Sequence, residues 1–287
     1  NVSVSLGCMR QEVRHTLANG LYRDFDVANC HPSIIQQLCV QHGIPCPNLS
    51  KYIDSTEECR KAIMDQFEGT YDARRGVAKI AYIAVQYGRT TKYWLETVNG
   101  QEYQEMKNVS TKSVITIPDH LEKYSKELST ISKIFQDKNS KLVQIVLKHK
   151  CHQLKIALSK KGRKDTSLEY KKDDADLLNI MRKRHNFNGI FLSYYCQIWE
   201  ARVLECCFSA LKANGNIPAD NNCVLCFDGI MTLKELSPEP DAICRLLEVA
   251  VLTDLGLSLK FEEKQMTKSL LPQIIEQENM LEDYKFD

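Results

Sequence analysis

One stretch in the last third of the chain constrains the fold most strongly. Cys223–Phe227 (CVLCF) is a continuous apolar run, Asp228 and Gly229 follow it, and Ile230–Leu233 continues beyond them. An apolar run bounded by turn residues is typical of a buried strand, and Asp-Gly is favoured in tight hairpin turns. The segment therefore predicts an antiparallel hairpin with an exposed Asp at its tip, and a hairpin of buried strands requires further elements to cover it.

The remaining pattern adds strands and many helices. Alternating or short apolar runs predict strands at Leu21–Val27, Val114–Ile117 and Leu257–Glu262. Helices are predicted at His31–His42, Thr56–Phe67, Asp72–Leu95, Leu121–Lys160, Asp173–Arg184, Gly189–Ala213, Asp241–Asp254 and Lys268–Leu281. We expect a mixed α/β (α+β) fold in which antiparallel strands are flanked by helices. No apolar stretch reaches 18 residues, so we expect no membrane-spanning helix and no membrane partner.

Charge is unevenly distributed, although the formal net charge of the whole chain is only +1. Residues 138–185 contain 14 Lys/Arg and 5 Asp/Glu, whereas residues 235–287 contain 5 Lys/Arg and 12 Asp/Glu. The basic stretch includes a cluster formed by Lys160, Lys161, Arg163 and Lys164. Such a stretch is either a solvated helical face or a binding track for a phosphate backbone.

The cysteines and the first residues bear on cellular context. The 12 Cys residues follow no framework spacing, which favours reduced thiols in an intracellular, reducing compartment such as cytoplasm, nucleus or viral factory. The sequence begins Asn-Val-Ser, without Met and without a charged-then-apolar signal. We expect a piece of a larger protein.

Two acidic residues stand at the end of the first predicted strand. Asp24 and Asp26 are two residues apart, so on a strand both side chains point to the same face. Carboxylates that face the start of a helix suit Mg²⁺, which uses few protein carboxylates and completes its shell with phosphate and water. The alternative is a capped turn with two surface acids.

Two cations and an aromatic residue recur at helical spacing. Arg75 and Lys79 are four residues apart, so a helix brings both to one face, and Tyr87 with Gly88 follows eight residues beyond Lys79. Two cations and a ring suit a triphosphate and a base. The alternative is a surface helix with extended basic side chains.

Taken in chain order, the segments around Asp26, Arg75 and Asp228 resemble motifs of template-dependent nucleic-acid polymerases. Residues 26–35 (DVANCHPSII) are similar to motif A of family B DNA polymerases, and the Arg, Lys, Tyr-Gly spacing is similar to motif B of family A DNA polymerases and phage-type single-subunit RNA polymerases. Residues 227–229 (FDG) resemble their motif C, although Phe227 stands where those families have His and Gly229 where they have an acid or a hydroxyl residue. The resemblance implies a divergent, family A-like polymerase with the right-hand fold, an antiparallel palm sheet and helical fingers.

The resemblance also implies a mechanism based on carboxylates. Asp26 and Asp228 would hold two Mg²⁺ ions, for which Mn²⁺ can substitute, and Asp24 would be a spare ligand or a supporting carboxylate. One ion would activate the primer 3′-hydroxyl and the other would steady the triphosphate and the leaving pyrophosphate.

Substrate contacts follow from the same resemblance. Arg75 and Lys79 would bind the incoming phosphates, and Tyr87 would stack near the nascent base pair. His31 occupies the position of the residue that packs under the sugar, so we hypothesise that it selects the sugar. Gln197, on the helix before motif C, is the counterpart of a residue that meets the template–primer minor groove.

We therefore expect a DNA polymerase that acts on a template–primer and dNTPs as the polymerase module of a larger viral or plasmid replication protein. The predicted division is palm, first part, at 1–55; fingers-like helices at 56–110; a basic nucleic-acid-binding insertion at 111–188; and palm, second part, with a closing helix at 189–287. Two alternatives stay open: an RNA polymerase or primase that uses NTPs, and a catalytically silent module that only binds nucleic acid or a replication partner.

Overall fold

The computed structural model describes residues 6, 9–160, 186–267 and 270, and within the last helical turns before residue 160 it describes the backbone alone. The strands are β1 Tyr22–Val27, β2 Phe67–Glu68, β3 Ser110–Thr111, β4 Val224–Cys226, β5 Gly229–Leu233 and β6 Phe261–Lys264. The helices are α1 Gln11–Ala18, α2 Cys30–Gln41, α3 Pro47–Asp54, α4 Thr56–Met64, α5 Tyr71–Gln86, α6 Thr91–Val98, α7 Gln101–Lys107, α8 Asp119–Lys138, α9 Ser140–Lys160, α10 Phe187–Ala213 and α11 Pro240–Leu255. The chain is therefore mixed α/β with a small antiparallel sheet, as predicted.

The chain divides into two compact units, residues 1–38 with 197–287 and residues 39–196. The first unit holds a four-stranded antiparallel sheet in the order β4-β5-β1-β6. The strand after the hairpin, β5, pairs with β1, and β1 pairs on its other side with β6. The predicted hairpin and the predicted first strand are thus confirmed, and they are neighbours in one sheet.

Each face of this sheet is covered by apolar side chains. Phe25 and Val27 alternate with the acids along β1 and are buried on the face that also buries Ile230 and Phe261. On the opposite face Val224, Cys226 and Met231 form a cluster with Ala18 of α1 and with Met266. The acidic residues of β1 therefore share their face with an apolar cluster, and that position accounts for their burial.

The second unit is almost entirely helical and has an aromatic core. Tyr52 of α3 stacks on Tyr82 of α5 with ring centroids 4.4 Å apart, and Tyr124 of α8 lies 5.2–5.3 Å from both rings. Burial strongly raises the pKa of Tyr124, whose hydroxyl donates to the Gln86 side chain at 3.2 Å. Strands β2 and β3 form a separate two-stranded sheet in this unit.

Two predicted helices are shorter in the structure for local reasons. The helix predicted at 72–95 ends after Gln86, because Gly88 adopts φ +80° and Thr90 starts α6 by accepting a hydrogen bond from the Tyr93 backbone N–H at 3.0 Å. The helix predicted at 121–160 is interrupted at Asn139, between α8 and α9.

The strand predicted at 114–117 is wrong, since this stretch is irregular and only Ser110–Thr111 pairs. The last strand lies later than predicted, at Phe261–Lys264, although Leu257 and Leu259 are buried. The helix predicted at 173–184 and nearly all of the one predicted at 268–281 lie outside the described residues.

Candidate active site

The two acidic residues of β1 lie side by side on one face of the sheet. Alternation along the strand points Asp24 and Asp26 the same way, as the sequence predicts. Only 2% of Asp24 and 7% of Asp26 is exposed, so both are buried carboxylates rather than surface acids. The alternative of a capped turn with surface acids is therefore wrong.

Asp228 lies in the turn between β4 and β5, beside the end of β1. Its carbonyl accepts a hydrogen bond from the backbone N–H of Val27 at 3.2 Å, and the next residue, Gly229, lies directly opposite Asp26. The prediction of an exposed Asp at the tip is wrong. Asp228 is partly buried, and Phe227 is the exposed residue of the turn, with 76% of its surface accessible.

The turn geometry accounts for the glycine after Asp228 but not for the phenylalanine before it. Phe227 adopts φ +47°, a left-handed conformation that is uncommon for a residue other than Gly, Asn or Asp. A Cβ on Gly229 would collide with the Asp26 carboxylate and lie 2.8 Å from the Phe25 carbonyl. A larger residue at 229 would therefore displace Asp26, so glycine is required where the polymerase motif that this turn resembles carries an acid or a hydroxyl.

The three carboxylates affect one another electrostatically. Burial raises the pKa of Asp24 to about 6, with a further increase from the charge of Asp26 and a smaller one from Asp228, against the lowering influence of Lys264 and Arg14. The pKa of Asp228 is also raised, first by burial and then by Asp26. The pairing of β1 with β5 thus brings Asp26 and Asp228, which are about 200 residues apart in the sequence, into a single acidic site.

A lysine from the neighbouring strand lies within this acidic site. Lys264 of β6 is directly opposite Asp24 in the register, and its Nζ is hydrogen-bonded to Asp26 Oδ2. Burial on its own lowers the pKa of Lys264, but Asp26, Asp228 and Asp24 outweigh burial and the net pKa is raised. No sequence pattern pointed to Lys264, because its place in the site depends on the register of β6 against the distant strand β1.

The donor atoms of the site suit a hard divalent cation. Asp24 Oδ1 is buried and has no hydrogen-bond partner, and Asp26 and Asp228 add carboxylate oxygens, which Mg²⁺ and Mn²⁺ prefer. Among the side chains that the structure describes, no three His, Cys, Asp or Glu residues converge as a ready metal centre. The carboxylates therefore fit a metal by chemistry, while Asp26 is engaged by a lysine.

His31 forms a second polar pair in the same unit. Its Nε2 lies 3.1 Å from Glu200 Oε2 of α10, and both side chains are 16% exposed. Glu200 lines a small cavity together with Asp228 and Gly229, and its charge contributes to the raised pKa of Asp228. The structure thus gives the predicted sugar-selecting residue a carboxylate partner next to Asp228, which the sequence analysis did not assign.

The predicted phosphate-binding residues belong to the unit of residues 39–196. Arg75 and Lys79 lie one turn apart on the outer face of α5, as predicted, and Tyr87 is the C-terminal cap of that helix. Arg75 already has an anion, because its Nε and Nη2 donate to the Glu57 carboxylate at 2.7–3.1 Å. This bidentate pair raises the pKa of Arg75 and lowers that of Glu57.

The predicted nucleic-acid-binding residues are described only in part. Gln197 is an exposed residue of α10. Lys160 is the last residue of α9, whereas Lys161, Arg163 and Lys164 lie outside the described residues.

The basic face that the structure does show lies earlier in α9. This helix contains no Asp or Glu, and its exposed positions recur at helical spacing: Lys141, Gln144, Ile145, Lys148, His149 and His152. Tyr194 stands beside this face, with its hydroxyl 2.6 Å from His149 Nδ1 and the Lys150 Nζ 5.4 Å from its ring centroid.

No protein-family profile matches the chain. A segment of 159 residues is 27% identical to the protein named Putative helicase V13 of Sputnik virophage, which corresponds to 51% of this chain and 20% of that protein. The chain thus spans about a fifth of the length of that curated relative. Among the described helices, none is long and apolar enough to cross a membrane.

Proposed function

We propose that the chain is a polymerase module that catalyses template-directed nucleotidyl transfer. The observation that carries the proposal is the meeting of Asp26 and Asp228. They come from two distant motifs, and the antiparallel pairing of β1 with β5 brings them into one acidic site with Asp24, in which Asp24 and Asp26 are buried and Asp228 is partly buried. A buried set of like charges is unfavourable unless it holds a cation or reacts, so it indicates a functional site.

Within this proposal each side chain has a stated role. Asp26 and Asp228 hold two Mg²⁺ ions, with Asp24 as the supporting carboxylate; bound Mg²⁺ supplies charge neutralisation and activation of the hydroxyl nucleophile. His31, held by Glu200, contacts the sugar of the incoming nucleotide. Arg75 and Lys79 bind its phosphates and Tyr87 stacks near its base, roles that rest on the motif resemblance and on the shared face of α5.

The exposed face of α9 is the proposed contact for the template–primer phosphates. Its lysines and histidines are not balanced by acids within the helix, whereas the lysines of α8 pair with acids one turn away, as in Lys123–Asp119 and Lys126–Glu122. Gln197 and the cluster around Lys160 extend the same assignment on sequence grounds. A DNA template–primer with dNTPs is the proposed substrate pair, and an RNA polymerase or primase is the alternative within the same chemistry.

Primer extension tests the proposal directly. Wild-type protein is incubated with a template–primer and Mg²⁺ or Mn²⁺, with dNTPs in one series and NTPs in the other. Extension should occur with one nucleotide type and fall at least a hundredfold in Asp26→Asn and Asp228→Asn, whereas Asp241→Asn, an exposed Asp in the first turn of α11, should retain it.

Two outcomes of the assay would count against the proposal. Extension that survives Asp228→Asn would contradict the site assignment. Binding of the template–primer without extension by either nucleotide type would favour the silent binding module.

A helicase role is the second candidate, because the relative from Sputnik virophage is named a helicase. The 287 residues contain no Gly-x-x-x-x-Gly-Lys-Ser/Thr segment, the loop that binds the phosphates of ATP in P-loop motors. We therefore favour a module that works in the same replication context as a helicase rather than a motor. DNA-stimulated ATP hydrolysis by this chain, unaffected by Asp228→Asn, would reverse that preference.

A further inference from the structure

We propose that Lys264 is a built-in counter-ion of the acidic site and that a divalent metal must displace it from Asp26 in order to bind. The inference deepens the proposed function, because it rests on the assignment of Asp24, Asp26 and Asp228 as metal ligands. It assigns the residue that sets the metal concentration at which the site becomes loaded.

Lys264 lies within reach of the buried acids of β1. The register of β1 and β6 puts Lys264 across from Asp24, and cross-strand neighbours on one face are within reach of each other. Its Nζ is hydrogen-bonded to Oδ2 of Asp26, which is one of the oxygen atoms that a metal would require. Lysine and metal therefore compete for the same atom.

Lys264 places a cation beside two buried carboxylates. Asp24 and Asp26 are almost completely buried, and Asp24 Oδ1 has no hydrogen-bond partner. Adjacent buried carboxylates repel each other strongly, and a cation in contact with them offsets part of that repulsion. Lys264 supplies this cation through its bond to Asp26. Oδ1 of Asp24 stays without a partner, so the site keeps a carboxylate oxygen that a metal could use as a ligand.

The Lys264 side chain can leave the site, whereas that of Asp26 cannot. The Lys264 side chain is 47% exposed and stands on an edge strand, whereas the Asp26 side chain is 9% exposed. The lysine can therefore swing into solvent at low cost, while the carboxylate stays fixed by the strand. A buried lysine with no outlet would block the site permanently, whereas a half-exposed one acts as a reversible occupant.

Direct metal binding tests the inference without any catalytic assay. Mn²⁺ is titrated into the full chain in the absence of nucleotide and nucleic acid, and its affinity is measured by calorimetry or by the electron paramagnetic resonance signal of free Mn²⁺. Lys264→Met should bind Mn²⁺ at least fivefold more tightly than wild type, Lys264→Arg should stay near wild type, and Asp26→Asn should bind at least tenfold more weakly.

Lys260→Met is the matched control. Lys260 precedes β6, and its side chain is 81% exposed and lies 3.7 Å from Glu248 rather than at the acidic site. Its substitution should leave Mn²⁺ affinity unchanged. Without metal, Lys264→Met should melt below wild type, and saturating Mn²⁺ should remove the difference. Lys264→Gln, measured in the same way, serves if the Met variant fails to fold.

The outcomes separate the inference from the function. Equal or weaker Mn²⁺ binding by Lys264→Met overturns the inference, even if the wild-type protein extends primers. Tighter binding by Lys264→Met supports it, even if no primer is extended and the proposed function fails. Absence of Mn²⁺ binding by every variant overturns the inference and the metal-ligand assignment together.

Discussion

Gly229 lies opposite Asp26 with no room for a side chain, so the residue after Asp228 is fixed by space rather than by chemistry. Close packing also buries Asp24 beside two other carboxylates and Asp26 against Lys264. The negative charge of such buried residues lowers the stability of the folded chain. Substitutions that relieve the charge should stabilise the metal-free protein and remove its function.

Asp24→Asn should stabilise the metal-free protein in a pH-dependent way. The pKa of Asp24 is about 6 in the folded chain and 3.8 when unperturbed, so its ionisation costs folding free energy that builds up between these two pH values and that a neutral side chain does not incur. We expect a gain of about 3 kcal/mol at pH 8 that disappears below about pH 4. Chemical denaturation across this pH range measures it, and a gain of equal size at pH 4 would contradict the explanation.

Glu200→Gln should affect sugar selection in the same direction as His31→Ala. Glu200 fixes the His31 ring at 3.1 Å, and Gln keeps the size but not the charge of that partner. Loss of a charged hydrogen bond is worth about 1.5–3 kcal/mol, so the ratio of kcat/KM for dNTPs and NTPs should change by about tenfold or more. Unchanged discrimination in both variants would remove His31 from sugar selection.

At the scale of elements, α9 is unusual because its exposed face is basic and has no acid. Lys141 and Lys148 are seven residues apart, which brings both to one side of the helix. A face of this kind can follow a polynucleotide backbone, and binding of that kind weakens steeply with salt because counter-ions are released.

Charge reversal on α9 should therefore change the salt dependence of DNA binding. Lys141→Glu/Lys148→Glu should weaken binding of a template–primer and lower the slope of log affinity against log salt by about two, roughly one for each lost phosphate contact. Lys126→Glu, on α8, should have little effect. Fluorescence anisotropy at several salt concentrations measures the slopes, and equal slopes for both variants would exclude α9 as the contact.

Much of the element pattern could be predicted from the sequence, and the failures have physical causes. The hairpin around Asp228 and the strand at Tyr22–Val27 follow from local apolar patterns. The short helices α1, α3 and α7 are absent from the prediction, and the breaks at Gly88 and Asn139 depend on single backbone conformations rather than on periodicity. The pairing of Asp26 with Lys264 and of His31 with Glu200 depends on the register of distant segments, which spacing along the chain does not encode.

At the scale of the whole molecule, the two units differ in how the chain builds them. Residues 39–196 are continuous, whereas the unit that holds the acidic site combines residues 1–38 with 197–287. The chain has two Trp residues, and each unit contains one. Trp94 is buried in the unit of residues 39–196, and Trp199 lies in the unit that holds the acidic site, with the Arg202 guanidinium 4.8 Å from its ring centroid. Each Trp is therefore a reporter of its own unit.

Single-Trp variants should show which unit a substitution affects. In a Trp94→Phe background, fluorescence of Trp199 should report a higher denaturation midpoint at pH 8 when Asp24→Asn is added. In a Trp199→Phe background, the midpoint reported by Trp94 should stay unchanged on the same addition, because the relieved repulsion belongs to the other unit. Equal shifts in both backgrounds would show that the chain unfolds as one cooperative body.

The pairing of Asp26 with Gly229 joins positions separated by about 200 residues of intervening chain. During synthesis β1 leaves the ribosome long before β5, and it has to wait without its central partner while the helical unit is made and folds. Closing so long a loop is entropically costly and makes this contact a late step. The acidic residues of β1 therefore stay hydrated and far from Asp228 in the nascent chain. The acidic site cannot assemble until the segment that carries β5 has been made.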